Sequence, residues 1–203
     1  KMNSKTIVFM GTSEFSVPLL LSLLREGYNI KTVYTRQDRA GGRGQKILLS
    51  PVKKVSLENA LQIRQPASFK EKEELCYLQN LKPDIIIVAA YGLILPKEVL
   101  NLPPFGCVNV HPSLLPEHRG PSPVPFTILA GDRESGVSIM LMDEGVDTGP
   151  VLKQQSLPID VEDTAETLTR KLAEMGGSLL LRVLPDWFDG KIKPVPQNNS
   201  QAT

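Results

Sequence analysis

Cysteine is nearly absent from this sequence. Its only two, Cys76 and Cys107, lie far apart and without metal-ligand spacing, which excludes a disulfide scaffold or a thiolate metal site and fits a reducing compartment. Aromatic residues make up only 5% of the chain, so aliphatic side chains must carry the core. Charge of one sign is also lacking: the net charge is +1, and any nucleic-acid contact must rest on a local patch. No apolar run reaches the roughly 20 residues of a membrane span, and the N-terminus has no signal-peptide core. Neither repeats nor low-complexity segments occur. The first apolar run is followed by Gly11-Thr12-Ser13 and not by G-x-G-x-x-G, which speaks against a dinucleotide dehydrogenase. What remains is a 203-residue chain with 41% hydrophobic and 22% charged residues, enough for one full core. A cytoplasmic monomer without membrane contact is the expectation.

Short apolar runs alternate with helical patterns. Thr6–Met10 reads as a buried first strand, and Ile30–Thr35 as a second. Asp84–Ala90 is apolar on both faces, as at the centre of a parallel sheet. Cys107–Val110 and Val137–Met142 are further strands. Ser16–Arg25 carries Val17, Leu20, Leu21 and Leu24 on one helix face and stops at Gly27. Pro121–Ala130 reads as a helix, and Asp163 with Glu166 as the capping box of a last long one. Such alternation predicts an α/β fold with a doubly wound, mostly parallel twisted sheet. The tail Lys193–Thr203 is polar and broken by proline. A catalytic domain over 1–196 is expected, with 197–203 beginning a linker to a further domain.

In such sheets ligands sit beyond the carboxyl ends of strands, where strand order reverses. The loops expected to converge there carry three chemically useful side chains. Asn109 and His111 are two apart at a strand end, so both point to one face. An amide and an imidazole side by side can both donate to a developing oxyanion. Asp147 follows a later strand, in a turn between Gly145 and Gly149, and can orient the imidazole and relay a proton. On spacing alone, a capped turn with a satisfied histidine competes evenly with this reading. His118 reads as solvated, Cys107 as core, and Trp187 and Phe188 as packing. A second patch lies between Thr35 and Lys54: Arg36, Arg39, Arg43, Lys46, Lys53 and Lys54 face Asp38 as the only acid. Arg43 is flanked by Gly41, Gly42 and Gly44. Such a loop can remodel around phosphates or remain merely solvated.

The stretch Asn109-Val110-His111-Pro112-Ser113-Leu114-Leu115-Pro116, followed by Arg119-Gly120, resembles the signature of the folate-dependent formyltransferases. Met142-Asp143-Glu144-Gly145-Val146-Asp147-Thr148-Gly149-Pro150 does so too, and the resemblance runs from Ile7 to about Pro196. It implies 10-formyltetrahydrofolate as co-substrate, an amine acceptor, no metal, and Asn109, His111 and Asp147 as the reacting centre. It places the pterin near Leu93, Leu95, Asp143, Glu144, Gly145 and Val146. The folate-side wall would be Ser113, Leu114, Leu115 and Pro116. Gly11–Phe15, Gln37–Gly44, Ser50–Lys53 and Tyr91–Pro96 are similar to the tRNA-acting branch of the family, although Ser13 stands where proline is common. That branch implies formylation of initiator methionyl-tRNA in translation initiation, with Arg36, Arg39, Arg43 and Lys46 on the tRNA, and a further C-terminal barrel domain. N-formylation of an amino sugar nucleotide is the alternative acceptor chemistry. Hydrolysis of the formylfolate is a weaker one. A non-catalytic folate- or RNA-binding module is the alternative class.

Overall fold

The computed structural model describes residues 4–41 and 46–203. In chain order the elements are β1 (Thr6–Gly11), α1 (Ser16–Arg25), β2 (Asn29–Tyr34), β3 (Arg39–Gly41), β4 (Lys46–Leu48), α2 (Pro51–Glu58), β5 (Ile63–Arg64), α3 (Lys72–Leu81), β6 (Ile85–Ala89), α4 (Lys97–Leu100), β7 (Cys107–His111), α5 (Pro123–Ala130), β8 (Glu134–Leu141), β9 (Val151–Pro158) and α6 (Ala165–Phe188). Seven strands form one sheet in the order β5-β2-β1-β6-β7-β8-β9, while β3 and β4 pair as a separate hairpin. The first five strands of that order run parallel, β8 runs antiparallel to β7, and β9 runs antiparallel to β8. The chain winds outward from β1 in both directions, which leaves a crevice at the carboxyl ends of β1 and β6.

Helices cover both faces. One core layer joins Leu19, Leu20 and Leu23 of α1 and Leu168, Leu172 and Leu180 of α6 to the sheet. The other joins Leu78 of α3 and Val99 and Leu100 of α4 to the opposite face. Alternation along β7 then decides where chemistry can occur. Val108 and Val110 belong to the first layer and Cys107 to the second. Asn109 and His111, in phase with Cys107, therefore face the α3–α4 side. Burial pushes the Cys107 thiol up to about 12, and it donates to the Val99 carbonyl at 3.5 Å, as a core residue does. Trp187 and Phe188 also pack: Nε1 of Trp187 donates to the Phe105 carbonyl, and Phe188 meets Phe105 edge-on.

Several elements depart from the sequence reading. Helix α1 buries Ser16, Leu19, Leu20 and Leu23, not the face drawn through Val17 and Leu21. Its leucines permit either phase. The Ser16 hydroxyl, donating to the Ala89 carbonyl at 2.6 Å, fixes the one adopted. Helix α6 is capped by Thr164 and not by Asp163, with Thr167 and not Glu166 closing the box. Asp163 instead takes Lys171 at 2.8 Å, which with the Asp160 N–H and the Thr167 hydroxyl lowers its carboxyl to about 2. A depressed carboxylate contributes stability that is complete above the ordinary value near ~3.9. That contribution is lost as pH falls through about 2. Asp163→Asn is expected to flatten the pH dependence of Tm across this acid window and leave it unchanged near neutrality, as thermal melts across pH would show.

The edge strand β9 was not anticipated, because Lys153, Gln154, Gln155 and Ser156 look like loop residues. Nor was the reversal of β8, which has a consequence for the site. The loop leaving β8 begins beside Cys107, whose carbonyl accepts from the Met142 N–H at 2.8 Å. It therefore starts at the opposite end of β7 from His111 and turns back across the sheet face. The Asp147 loop thus does not leave from the edge where the loops of the parallel strands converge, but reaches it from the other end of β7. The tail also runs back over the body. Val195 and Val151 exchange both backbone hydrogen bonds at 2.8 Å, and the Thr203 carbonyl accepts from the Arg119 N–H at 3.0 Å. Among the described residues no helix is long and apolar enough to cross a membrane.

Candidate active site

Asn109 and His111 leave β7 toward the returning loop and meet Asp147 there. Asn109 Nδ2 donates to Asp147 Oδ1 at 3.2 Å, and His111 Nδ1 lies 3.6 Å from Asp147 Oδ2. The Gly120 N–H donates to the same Oδ2 at 2.9 Å. On its other side, His111 Nε2 stands 2.9 Å from the His118 carbonyl. Each ring nitrogen thus faces an oxygen, and a doubly protonated ring has an N–H for both. Asn109 is 8% and His111 5% exposed, so electrostatic interactions here are poorly screened.

The surrounding segments explain why the three hold their places. Ser138, opposite His111 across β7 and β8, donates to the Ser113 carbonyl at 2.6 Å. It accepts from the Leu115 N–H at 3.0 Å and from Gln154 Nε2 at 2.7 Å. The turn after His111 is thereby fastened to β8 and β9. His118 has φ +52° and is not solvated: its Nε2 lies 2.7 Å from Asp132 Oδ2. In the returning loop, Asp143 accepts from the Gly145 N–H at 3.0 Å and the Thr148 hydroxyl at 2.6 Å. Asp147 itself has φ +51°, a region that costs a non-glycine residue energy unless neighbours enforce it. At Gly149 a Cβ would overlap the Leu141 carbonyl, so this close return of the loop requires glycine.

Above the three residues opens a cavity of about 620 Å³, mostly apolar, in the range of small-molecule sites. Its walls include Phe15, Ala90–Ile94, Gly120–Pro125, Met142, Val146 and Thr169, with Asn109, His111 and Asp147 among them. It occupies the crevice beside β1 and β6. Of the residues expected around a pterin and its tail, Leu93 and Val146 lie on this wall. Leu95 is buried in the core beneath it, Asp143 braces its own loop, and Glu144 pairs with Lys97 at 2.9 Å. Gly145 does not line the cavity. Ser113 donates to the Glu117 carbonyl, and the Leu114 side chain packs where a Cβ on Gly136 would stand. Leu115 and Pro116 border a separate cavity of about 290 Å³. Sequence reading missed Phe15, Gly120, Pro123, Val124 and Thr169 as wall residues. The proline run after Gly120 was a visible signal for Pro123 and Val124, whereas Thr169 on α6 had none.

The basic segment is divided. Arg36 is committed to the cavity wall, with Nη1 donating to the Gly92 carbonyl at 3.0 Å. Lys53 bonds Asp38 and Gln65, which together hold the Asp38 carboxyl below its usual range. Arg39 is exposed on the β3–β4 hairpin. Arg43 and the side chain of Lys46 lie outside the described residues.

A mostly parallel sheet thus sets an amide, an imidazole and a carboxylate into an apolar crevice. A sequence profile described as "Formyl transferase" matches residues 4–184, and the chain belongs to that family. It is 49% identical over 202 residues to a methionyl-tRNA formyltransferase of Dehalococcoides mccartyi, covering 100% of this chain and 64% of that protein. The methionyl-tRNA formyltransferase of Caldanaerobacter subterraneus subsp. tengcongensis is 46% identical over 198 residues, 97% of this chain and 64% of its own length. The chain thus spans just under two thirds of these curated relatives. Among solved structures, glycinamide ribonucleotide transformylase 1 from Symbiobacterium toebii superposes with a TM-score of 0.74 at 19% identity, over 94% of this chain and 93% of that one. At that identity the likeness establishes the fold.

Proposed function

We propose that this chain transfers the formyl group of 10-formyltetrahydrofolate to the amino group of initiator methionyl-tRNA. The observation that carries the reaction class is the convergence of Asn109, His111 and Asp147 on the wall of the apolar cavity. The acceptor rests on similarity to methionyl-tRNA formyltransferases along the whole chain.

The cavity suits a folate. It is large enough for a planar bicyclic ring, and Leu93, Ile94 and Val146 supply apolar walls. The folate, when bound, supplies an activated formyl group on nitrogen. The acceptor amine attacks the formyl carbon as a neutral nucleophile. A new C–N bond forms, the bond to the folate nitrogen breaks, and the proton lost by the amine passes to that nitrogen. The protein's task is electrostatic. Asn109 Nδ2 donates its second N–H, and His111 Nε2 exchanges the His118 carbonyl for the formyl oxygen, so that both support the negative charge growing there. Asp147 holds the imidazolium and provides the relay for the amine proton. The surrounding apolar wall excludes water, which strengthens these interactions and suppresses hydrolysis.

Incubating the protein with 10-formyltetrahydrofolate labelled in the formyl carbon, together with methionyl-tRNA, an amino sugar nucleotide or buffer alone, tests the assignment. Label on methionyl-tRNA is expected. Label on the sugar alone, or free formate alone, would overturn it.

The cationic segment gives a separate expectation. Arg43→Ala and Arg39→Ala should each raise KM for methionyl-tRNA and reduce the slope of log affinity against log salt by about 1. Folate affinity should stay constant, because Arg39 does not line the cavity. Arg36→Ala should behave differently, loosening the Gly92 wall and weakening folate. Steady-state kinetics with each substrate varied in turn would show the contrast.

A further inference from the structure

The tail that folds back over the body ends its path on the reacting centre. Gln197 is the residue that reaches it. Its Nε2 donates to two carbonyls of the returning loop, Asp147 at 2.8 Å and Gly149 at 2.7 Å. Its Oε1 accepts from Arg119 twice, from Nε at 3.0 Å and Nη2 at 2.8 Å. Arg119 stands next to Gly120, whose N–H donates to the Asp147 carboxylate, and next to His118, whose carbonyl meets His111. One amide therefore ties together the two segments that meet around Asp147. Both its hydrogens and its oxygen are engaged. Val195, two residues earlier, is anchored by its strand-like pairing with Val151, so the amide is delivered by a fixed backbone.

We propose that Gln197 is a positioning residue for formyl transfer: by gripping the Asp147 and Gly149 carbonyls and Arg119, it holds the Asp147 carboxylate against His111 and Asn109. The physical need is plain. Asp147 has φ +51° in a loop that must return across the sheet from the far end of β7. The carbonyls beside such a residue point outward and need donors. Two N–H groups from one side chain supply them, while the same side chain fixes the Gly120 N–H through Arg119. Gln197 touches neither the cavity nor the three reacting side chains. Its effect must pass through Asp147. This inference rests on the reading of Asn109, His111 and Asp147 as the reacting centre.

The test uses Gln197→Ala, Gln197→Glu and Asn199→Ala. Asn199 lies on the same tail and accepts from Arg119 Nη2 at 2.8 Å, but it does not reach the returning loop. Glutamate keeps an acceptor for Arg119 and loses both donors to the loop. Two measurements are made on the intact chain. In amide exchange followed by NMR, the Gly120 N–H is the reporter, since it donates to the Asp147 carboxylate. In kinetics with 10-formyltetrahydrofolate and methionyl-tRNA, kcat is separated from the KM of each substrate.

Both Gln197 variants are expected to speed Gly120 exchange about tenfold or more while β6 amides stay protected. They should lower kcat by roughly 10- to 100-fold with folate KM unchanged, the signature of a misplaced group outside the binding pocket. Asn199→Ala should resemble the parent in both. Gly120 exchange and kcat at parental values in Gln197→Ala would overturn the proposal. So would Gln197→Glu behaving as the parent, because the two N–H donations would then be dispensable. Exchange accelerated throughout the core would mark a merely structural role and overturn it equally. If the parent chain fails to formylate methionyl-tRNA, that loss falls on the acceptor reading, and the exchange comparison still decides the role of Gln197.

Discussion

His111→Ala is expected to reduce formyl transfer by roughly 100- to 1000-fold, the usual cost of one oxyanion donor. The truncation removes the ring that lies between Asp147 and the His118 carbonyl. It therefore also leaves the carboxylate without the ring nitrogen that faces it. Folding should survive, since Val108 and Val110, not His111, carry this strand's share of the core. Folate binding should survive as well, because the apolar walls remain. The comparison to make is kcat for methionyl-tRNA formylation against the dissociation constant of tetrahydrofolate measured by calorimetry. Parental turnover in a folded His111→Ala protein would remove the histidine from the mechanism. A lost folate affinity with intact kcat would move it to the binding site.

The parts of this fold that depend on apolar pattern were legible in the sequence. The central strand is legible as Asp84–Ala90, an apolar run between a proline and a glycine, and β6 forms over Ile85–Ala89 within it. The phase of α1 was not legible, because Leu19, Leu20, Leu21, Leu23 and Leu24 satisfy two faces equally and a single serine hydroxyl chooses between them. The polar strand β9 was hidden for a related reason: an edge strand needs to bury only part of one face. At the site, the spacing of two on one strand places Asn109 and His111 on one face, but their role as reacting groups comes from the motif resemblance and not from the spacing. That Asp147 reaches them was not derivable from strand order, since β8 runs against β7 and its loop has to travel back. The tail looked like the start of a linker because it is polar and rich in proline. Its hydrogen bonds are made by Gln197, Asn199 and Thr203, and polar composition cannot distinguish contact with water from contact with Arg119.

Asp147→Asn is expected to fold like the parent and transfer formyl groups roughly 100- to 10,000-fold more slowly, the range spanned by loss of positioned acid–base chemistry. Asparagine tolerates positive φ, so the turn at φ +51° is no obstacle to it. The damage comes from hydrogen-bond polarity. In the parent, Oδ1 accepts from Asn109 at 3.2 Å and Oδ2 accepts from Gly120 at 2.9 Å beside His111. An amide offers only one oxygen. If that oxygen faces Gly120 and His111, its NH₂ group meets the NH₂ of Asn109, donor against donor. Asn109 can answer only by flipping its own amide, which turns its donor away from the place where charge develops. If the oxygen faces Asn109, the new NH₂ meets the Gly120 N–H, and in both orientations the negative charge beside His111 is gone. Either orientation removes one element of the centre while leaving shape, volume and cavity intact. Thermal melts, folate calorimetry and single-turnover transfer from 10-formyltetrahydrofolate, run on parent and variant together, separate these effects. The expected pattern is an unchanged Tm, an unchanged folate dissociation constant and a slow chemical step. Turnover at the parental rate would show that the carboxylate's charge is not used, and that a hydrogen-bonding side chain of the right shape at position 147 is enough.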